Sequence, residues 1–461
     1  MRLTYETHLP GHTVDEVFAW HERPGALERL TPPWGDVEVV HKEGGIRDGA
    51  VVVLRIRQGP ASFEWKLRHT DFVEGRQFCD EQVSGPMKSW RHVHRFSSDG
   101  GGGSLLEDDI EIEPPLGPAG SALAPGFIEK ELDRLFAFRR LRLRHDLMRH
   151  ASARGRPRMT VAISGASGMI GRALTHFLTT GGHSVIRLVR DRSRLDGTSV
   201  YWNPANGEID AAGLARADAV VHLAGEPIAG GRWTDARKKA IRQSRIQGTD
   251  LLSRTLATMT GGPRVLLSMS AVGYYGDRGE ERLTEDSRPG KGFLASVAQD
   301  WEAATRPAER GGLRVVRLRA GVVLSPAGGA LGKMLLPFKM GVGGRLGSGR
   351  QYMSWIDLDD VVGMIHHCLV DDRIHGAVNM TSPHPVTNST FTSILGSVLG
   401  RPTVLPVPGL AVKAVFGELG KEALLEGQRV LPARAVDTGY DFAFEGLEDS
   451  LRFQLGRSAD D

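Results

Sequence analysis

The 461-residue sequence predicts a doubly wound parallel α/β sheet with a small helical C-terminal cap, preceded by a separate α+β module. Three observations predict it. An apolar strand runs into a glycine-rich turn and a helix at TVAISGASGMIG, residues 160–171. Strand-like and helix-like segments alternate after that turn. A stretch of ordinary domain size stands before it, although such a turn usually opens its own domain. The boundaries read as 1–150 for the first module, 151–158 for a linker, 159–400 for the α/β unit and 401–461 for the cap.

In the first module a short helix is expected at TVDEVFAWH. The segments VEVVHK, AVVVLRIR, SFEWKLRHTDFV and SWRHVHRF follow, rich in β-branched and aromatic residues and separated by turn formers. They read as an antiparallel meander. A long helix closes the module, and its Ile128, Leu132, Phe136, Leu143 and Leu147 form an apolar stripe for the sheet to grip. His92 and His94 alternate with Arg91, Val93 and Arg95 and so share a sheet face with Trp90 and Phe96. A metal would need a third ligand that the sequence does not nominate, so the pair reads as half-buried structural polar residues and no metal is assigned. The arginines between Arg139 and Arg158 read as a solvated helix face running into the linker, with an anionic membrane surface as the alternative.

In the turn, Gly165 permits tight chain reversal, Gly168 lets the backbone approach a pyrophosphate and Gly171 lets helix and strand pack. The free N–H groups and dipole of the following helix complete an anion site. Next come SVIRLV, TSVYW, ADAVVHLAG, a long helix from WTDARKKAI, RVLLSMS, a helix at FLASVAQDWEAAT and LRVVRLR. This alternation is that of a Rossmann-like sheet, whose ligands sit at the strand carboxyl ends. The second strand ends at Val189-Arg190-Asp191-Arg192. Arg190 suits a 2′-phosphate and favours NADP, while Asp191 leaves NAD open.

Composition narrows the partners. With 40% hydrophobic and 25% charged residues the chain is of globular type, and 58 Lys plus Arg against 55 Asp plus Glu argue against nucleic acid. A small-molecule substrate is expected; oligomeric state is not legible. Cys79 and Cys368 show no disulfide or zinc spacing, the N-terminus lacks a signal peptide pattern, and no run reaches the ~18 apolar residues of a membrane helix. A cytoplasmic protein is expected.

Two resemblances add to this. The strings YETHLPGHTVDEVFAWHERPGALERLTPPW, WRHVHRF, LLEDDIEIEPPLG and FIEKELDRLFAFRR resemble the START-like, helix-grip family of polyketide cyclases and coenzyme Q-binding proteins. That resemblance implies an apolar cavity for a lipid, quinone or polyketide-like ligand. From SGASGMIGRAL through HLAGEPIAGGRW, SRIQGTDLL, SAVGYYG and GSGRQYMSWIDLDD to LLEGQRVLPARAVDTGYDF, the chain resembles an atypical, epimerase-like branch of the extended short-chain dehydrogenase/reductases. The second resemblance implies that Gly165, Ala166, Ser167, Gly168, Met169 and Ile170 cradle the pyrophosphate. It also implies that Leu223, Ala224 and Gly225 lie against the nicotinamide ribose, and that Ser268, Met269 and Ser270 face the nicotinamide.

The Tyr-x-x-x-Lys pair of that wider family is missing: its helix reads GFLASVAQDWE, and none of the six tyrosines has a lysine four residues on. Arg245 stands where an asparagine often precedes the Gly-Thr of the preceding helix. Ser270, Tyr274 and Tyr275 are the catalytic candidates because their loop leaves the fifth strand's carboxyl end, with packing roles as the alternative; His222 reads as a core histidine. In the segment after the last core strand, Arg345, Arg350, Gln351, Ser354 and Trp355 offer a substrate an anion fork and a stacking plane. The expectation is an NADP(H)-dependent oxidoreductase or nucleotide-sugar-epimerase-like enzyme acting on a small, apolar molecule bound or delivered by the N-terminal cavity. The alternative is a non-catalytic NADP-binding sensor or a lipid- or quinone-binding scaffold.

Overall fold

The structure is a computed structural model describing residues 1–59, 61–114 and 118–457, with 58 and 118–125 by backbone alone. The last three residues of LLEDDIEIEPPLG lie outside it. The chain divides into two compact units. One comprises Met1–Arg154, His176–Gly182 and Leu455–Ser458; the other, Gly155–Thr175, His183–Gln454 and Ala459–Asp461. Among the described residues no helix is long and apolar enough to cross a membrane.

The first unit holds β1 (Arg2–Leu9), α1 (Val14–Glu22), α2 (Ala26–Leu30), β2 (Asp36–Glu43), β3 (Val51–Gln58), β4 (Ala61–Val73), β5 (Gln77–Ser84), β6 (Ser89–Ser98), β7 (Ser104–Glu113) and α3 (Pro118–Ala151). The antiparallel sheet runs β1-β7-β6-β5-β4-β3-β2, a meander closed by β1 returning beside β7. Helix α1 starts in a capping box: Thr13 Oγ accepts from Glu16 N, and the Glu16 carboxylate accepts from Thr13 N. Its Val17, Phe18 and Trp20 join Leu9, Phe78, Phe96, Leu106, Leu143 and Leu147 in one core. Leu132 and Phe136 join Ile110 and Ile112 in another, each large side chain contributing about 1.5–3 kcal/mol by burial.

The helical arginines correct the sequence reading of α3. Arg142 and Arg149 are buried, and Asp146, fully enclosed, pairs with buried Arg29 on α2, Nε to Oδ2 at 2.7 Å. The helix is enclosed beyond its apolar stripe, and paired or ring-stacked charges fill the extra width: the Arg142 guanidinium lies 5.0 Å from the Phe138 ring centre.

The second unit contains β8 (Thr160–Ser164), α4 (Met169–Thr180), β9 (Ser184–Val189), β10 (Ser199–Asn203), β11 (Glu208–Ile209), β12 (Ala219–His222), α5 (Asp235–Thr258), β13 (Val265–Ala271), α6 (Phe293–Ala303), β14 (Arg314–Ala320), α7 (Leu358–Val370), β15 (Gly376–Met380) and α8 (Asn388–Leu399). The sheet order is β11-β10-β9-β8-β12-β13-β14-β15, parallel except for β11. Chain order reverses between β8 and β12, so the doubly wound switch point lies over the glycine turn. Past α8 the chain is mostly helical, with a short strand, Arg429–Val430, parallel to Arg282–Leu283. Buried Asp357, at the N-terminus of α7, accepts from Ser450 Oγ at 2.6 Å and Gln454 Nε2 at 3.0 Å, tying the last helix to the sheet.

Candidate functional site: a dinucleotide cradle and its supports

The three turn glycines meet different constraints. Gly165 has φ +72°, and a Cβ there would stand 3.0 Å from Ala224 N and Leu223 C. At Gly171 a Cβ would lie 2.2 Å from Gly165 O and 2.7 Å from Ala166 Cα, so helix and turn close only over a hydrogen atom. Gly168 differs: it is exposed, and a Cβ would meet only Gly165 O, at 3.2 Å. The turn closes through Gly168 N donating to Gly165 O at 2.9 Å, and Ser167 beside it is exposed at the start of α4. This leaves an open backbone surface at a helix N-terminus, suited to a phosphate.

Ser164 couples this turn to the neighbouring strand. Its Oγ accepts from Leu223 N (3.2 Å) and Ala224 N (3.3 Å) and lies 2.6 Å from His222 Nδ1. With both backbone donors aimed at the oxygen, the hydroxyl proton goes to Nδ1, which places the His222 proton on Nε2. Burial pushes the His222 pKa down to about 4, in keeping with a core role. The stability this neutral ring supplies is full above the ordinary value near 6.5 and is lost as pH falls from there toward 4. Imidazole nitrogen NMR should accordingly show His222 as the neutral Nε2–H tautomer at pH 6; a protonated ring there would contradict the assignment. Below the Leu223–Gly225 segment, Arg245 is buried, donating from Nη1 to Glu226 O (3.0 Å) and Ile241 O (3.1 Å). It supports the loop.

At the end of β9, Arg190 is exposed. The Asp191 carboxylate accepts from Ser193 Oγ (2.7 Å) and Ser193 N (3.0 Å), which hold its pKa below the usual range. Arg192 stacks over Tyr201, 3.7 Å from the ring centre.

The catalytic expectation meets a correction. Ser270, Arg319 and Asn379 stand opposite one another on β13, β14 and β15. They belong to one buried network: Ser270 Oγ donates to Glu302 Oε1 at 2.8 Å, and Glu302 takes Arg319 Nε and Nη2 at 2.8 and 2.9 Å. Arg319 Nη1 donates to Tyr275 Oη at 2.8 Å, which donates to Asn379 Oδ1 at 2.7 Å. Ser270 is 2% exposed and Tyr275 0%, and burial pushes the Tyr275 pKa up to about 12. Both hydroxyls are committed to partners within this network. Tyr274 is different. It is half-buried, its ring lies over the Arg319 guanidinium at 3.6 Å, and its hydroxyl has no hydrogen-bond partner among the described residues.

Ser268 is likewise buried inside the sheet. Of the proposed substrate residues, Trp355 is 0% exposed, its indole N–H donating to His384 O at 3.0 Å, so it offers no stacking plane. Ser354 is buried, and the Gln351 amide donates to Leu346 O and Leu424 O. Only Arg345 and Arg350 of that set are exposed. Sequence reasoning missed Glu302, Arg319, Asn379 and Glu422. The Glu422 carboxylate accepts from Phe293 N and Leu294 N, both at 2.9 Å, capping α6 where the Tyr-x-x-x-Lys helix of the wider family begins. Arg319 alone left a signal, a charged residue near the end of a β-branched strand.

The first unit encloses a cavity of about 300 Å³. Leu30, Ile46, Val52 and Leu67 line it, and His69, Asp80, His94 and Arg139 add a polar wall. His92 and His94 prove fully buried, not half-buried.

Comparison with known proteins places these features. Residues 161–380 match the NAD dependent epimerase/dehydratase family, 407–454 a domain of unknown function, and 10–139 the polyketide cyclase/dehydrase and lipid transport family. An epimerase family protein of Mycobacterium bovis is 46% identical over 297 residues, 64% of this chain and 98% of the relative. The chain belongs to the NAD-dependent epimerase/dehydratase family. A nucleoside-diphosphate sugar epimerase from Corynebacterium glutamicum resembles nearly all of this epimerase-family chain: 34% identity, 98% of this chain, 90% of the other, TM-score 0.81. The human epimerase family protein SDR39U1, solved with NADPH, is 35% identical over 64% of this chain and 99% of its own, with TM-score 0.59. The expected α/β unit and START-like module are thus both present.

Proposed function

We propose that this chain is an NADP(H)-dependent oxidoreductase or epimerase-like enzyme acting on a small molecule, with an apolar ligand bound or delivered by the N-terminal cavity. The observation that carries it is the open cradle formed by Gly165, Gly168 and Gly171, with an exposed Arg190 beside an Asp191 already engaged by Ser193. Those residues fit a dinucleotide with a 2′-phosphate: the turn N–H groups take the pyrophosphate and Arg190 the extra phosphate. The human relative solved with NADPH supports the same choice. When bound, the cofactor supplies hydride transfer.

Arg190→Ala should weaken NADPH binding about 10–100-fold, the equivalent of losing a charged hydrogen bond, and leave NADH binding nearly unchanged. Equal loss for both dinucleotides in calorimetry would remove Arg190 from the 2′-phosphate site. For the proton-transfer step, Tyr274 supplies the uncommitted hydroxyl, and Arg319 at 3.6 Å from its ring holds it in place. Tyr274→Phe should lower turnover of a reducible substrate about 100-fold or more with NADPH affinity retained; undiminished turnover would exclude it.

A second reading, a non-catalytic NADP-binding sensor or ligand-binding scaffold, is favoured by α6, where Phe293, Leu294, Val297 and Ala298 are apolar and Glu422 caps the first turn. Stoichiometric NADPH binding with no oxidation against any carbonyl panel would support it.

A further inference from the structure

We propose that Asp80, His92 and His94 bind one divalent transition-metal ion, zinc or a metal of similar ligand preference, in the wall of the N-terminal cavity. Strand register brings the groups together. His92 and His94 alternate on β6 and face the same side, Asp80 on β5 stands directly opposite His92, and Asp108 on β7 stands directly opposite His94. Asp80 Oδ2 lies 3.3 Å from His94 Nε2 and 3.8 Å from His92 Nδ1, and one donor atom from each residue falls within 4.8 Å of the others. Ligands about 2.0–2.1 Å from a tetrahedral ion stand about 3.3 Å apart, so small side-chain shifts close the set.

The far side of each ligand faces a partner, by a hydrogen bond at His92 and by ion-pair contacts at His94 and Asp80. Asp108 Oδ1 lies 2.9 Å from His92 Nε2 and 2.7 Å from His94 Nδ1, the ring nitrogens turned away from Asp80. His69 Nε2 lies 2.8 Å from Asp80 Oδ1, the carboxylate oxygen not offered to the ion. Outer carboxylates of this kind orient ligating imidazoles and raise their basicity. Two carboxylates, Asp80 and Asp108, are drawn into an apolar unit here, and a divalent ion neutralises both at one point. Its competitors are a proton shared by His94 with the two acids and the Arg139 guanidinium, which lines the same wall and interacts with both carboxylates.

Two imidazoles and one carboxylate leave coordination positions open. Asp80 and His94 both line the cavity, so the open positions face its contents. Resting on the cavity reading above, this narrows the ligand to a largely apolar molecule carrying an oxygen donor. Cys79 takes no part. It is followed by Asp80 on β5 and so faces the opposite side of the sheet, grouped with Asp71 and Glu81.

The test uses full-length protein stripped with a chelator and titrated with Co²⁺. One ion per chain with visible d–d absorption is expected, displaced by Zn²⁺, lost in Asp80→Ala and His94→Ala, and weakened about 10–100-fold in Asp108→Asn. X-ray absorption of the zinc-loaded wild type needs no variant and should show a nitrogen and oxygen shell with outer scattering from two imidazoles. No saturable uptake, uptake that survives both ligand substitutions, or sulfur in the first shell would each overturn the assignment. Because NADPH binding belongs to the other unit, its retention in these variants separates failure here from failure of the dinucleotide reading.

Discussion

Gly171→Ala should destabilise the chain by about 2–3 kcal/mol and abolish NADPH binding. The added methyl would lie 2.2 Å from Gly165 O and 2.7 Å from Ala166 Cα, both backbone atoms of the turn itself, so no side chain can swing aside. Helix α4 would have to tilt away from the strand end, opening the cradle. Gly168→Ala is the control. Its methyl meets one carbonyl at 3.2 Å in an exposed position, so stability should change by less than about 0.5 kcal/mol, while affinity for NADPH still falls because the backbone can no longer touch the phosphate. Urea unfolding and calorimetry on the two variants separate folding from binding. Equal effects at both positions would show that the glycines serve one purpose only.

Arg319→Ala should cost about 3–5 kcal/mol, the larger effect on stability. Arg319 and Glu302 have side chains 5% and 10% exposed, and removing the guanidinium leaves a largely buried carboxylate with, among the described residues, Ser270 Oγ alone to answer it. Tyr275 Oη also loses its donor, and the Tyr274 ring its platform. A double variant, Arg319→Leu with Glu302→Gln, removes both charges and should recover a large part of the loss. If the single and double variants unfold alike, the pair is not the source of the energy.

The cradle was legible because its constraints are local. Gly165, Gly168 and Gly171 lie within seven residues, and turn geometry dictates them wherever the rest of the chain goes. The place of Arg190 beside the turn was legible for a related reason: it follows a strand whose position next to the turn is set by right-handed crossover connections. The supports around Ser270 were not. Ser270, Arg319 and Asn379 are distant in sequence and meet only because three parallel strands align in register. Read singly, the loop SMSAVGYYG suggested three reactive hydroxyls; the sheet binds two of them into a structural network and leaves the Tyr274 hydroxyl without a hydrogen-bond partner among the described residues. Trp355 shows the same effect, since an aromatic in a glycine-rich segment reads as exposed until the fold encloses it. The arginines of α3 show it for charge.

Taken alone, the sequence determined the two-part layout, the parallel α/β order, the glycine cradle and the absence of the Tyr-x-x-x-Lys pair. Each of these is written in periodicity or in residues close along the chain. Tertiary structure decided which polar groups are enclosed and with whom: Arg319 with Glu302 in one unit, and buried Asp108, His92 and His94 with half-buried Asp80 in the other. Burial is decided by non-local packing. Whether a hydroxyl or an imidazole is free to react therefore depends on strands that the sequence separates and the sheets bring into register.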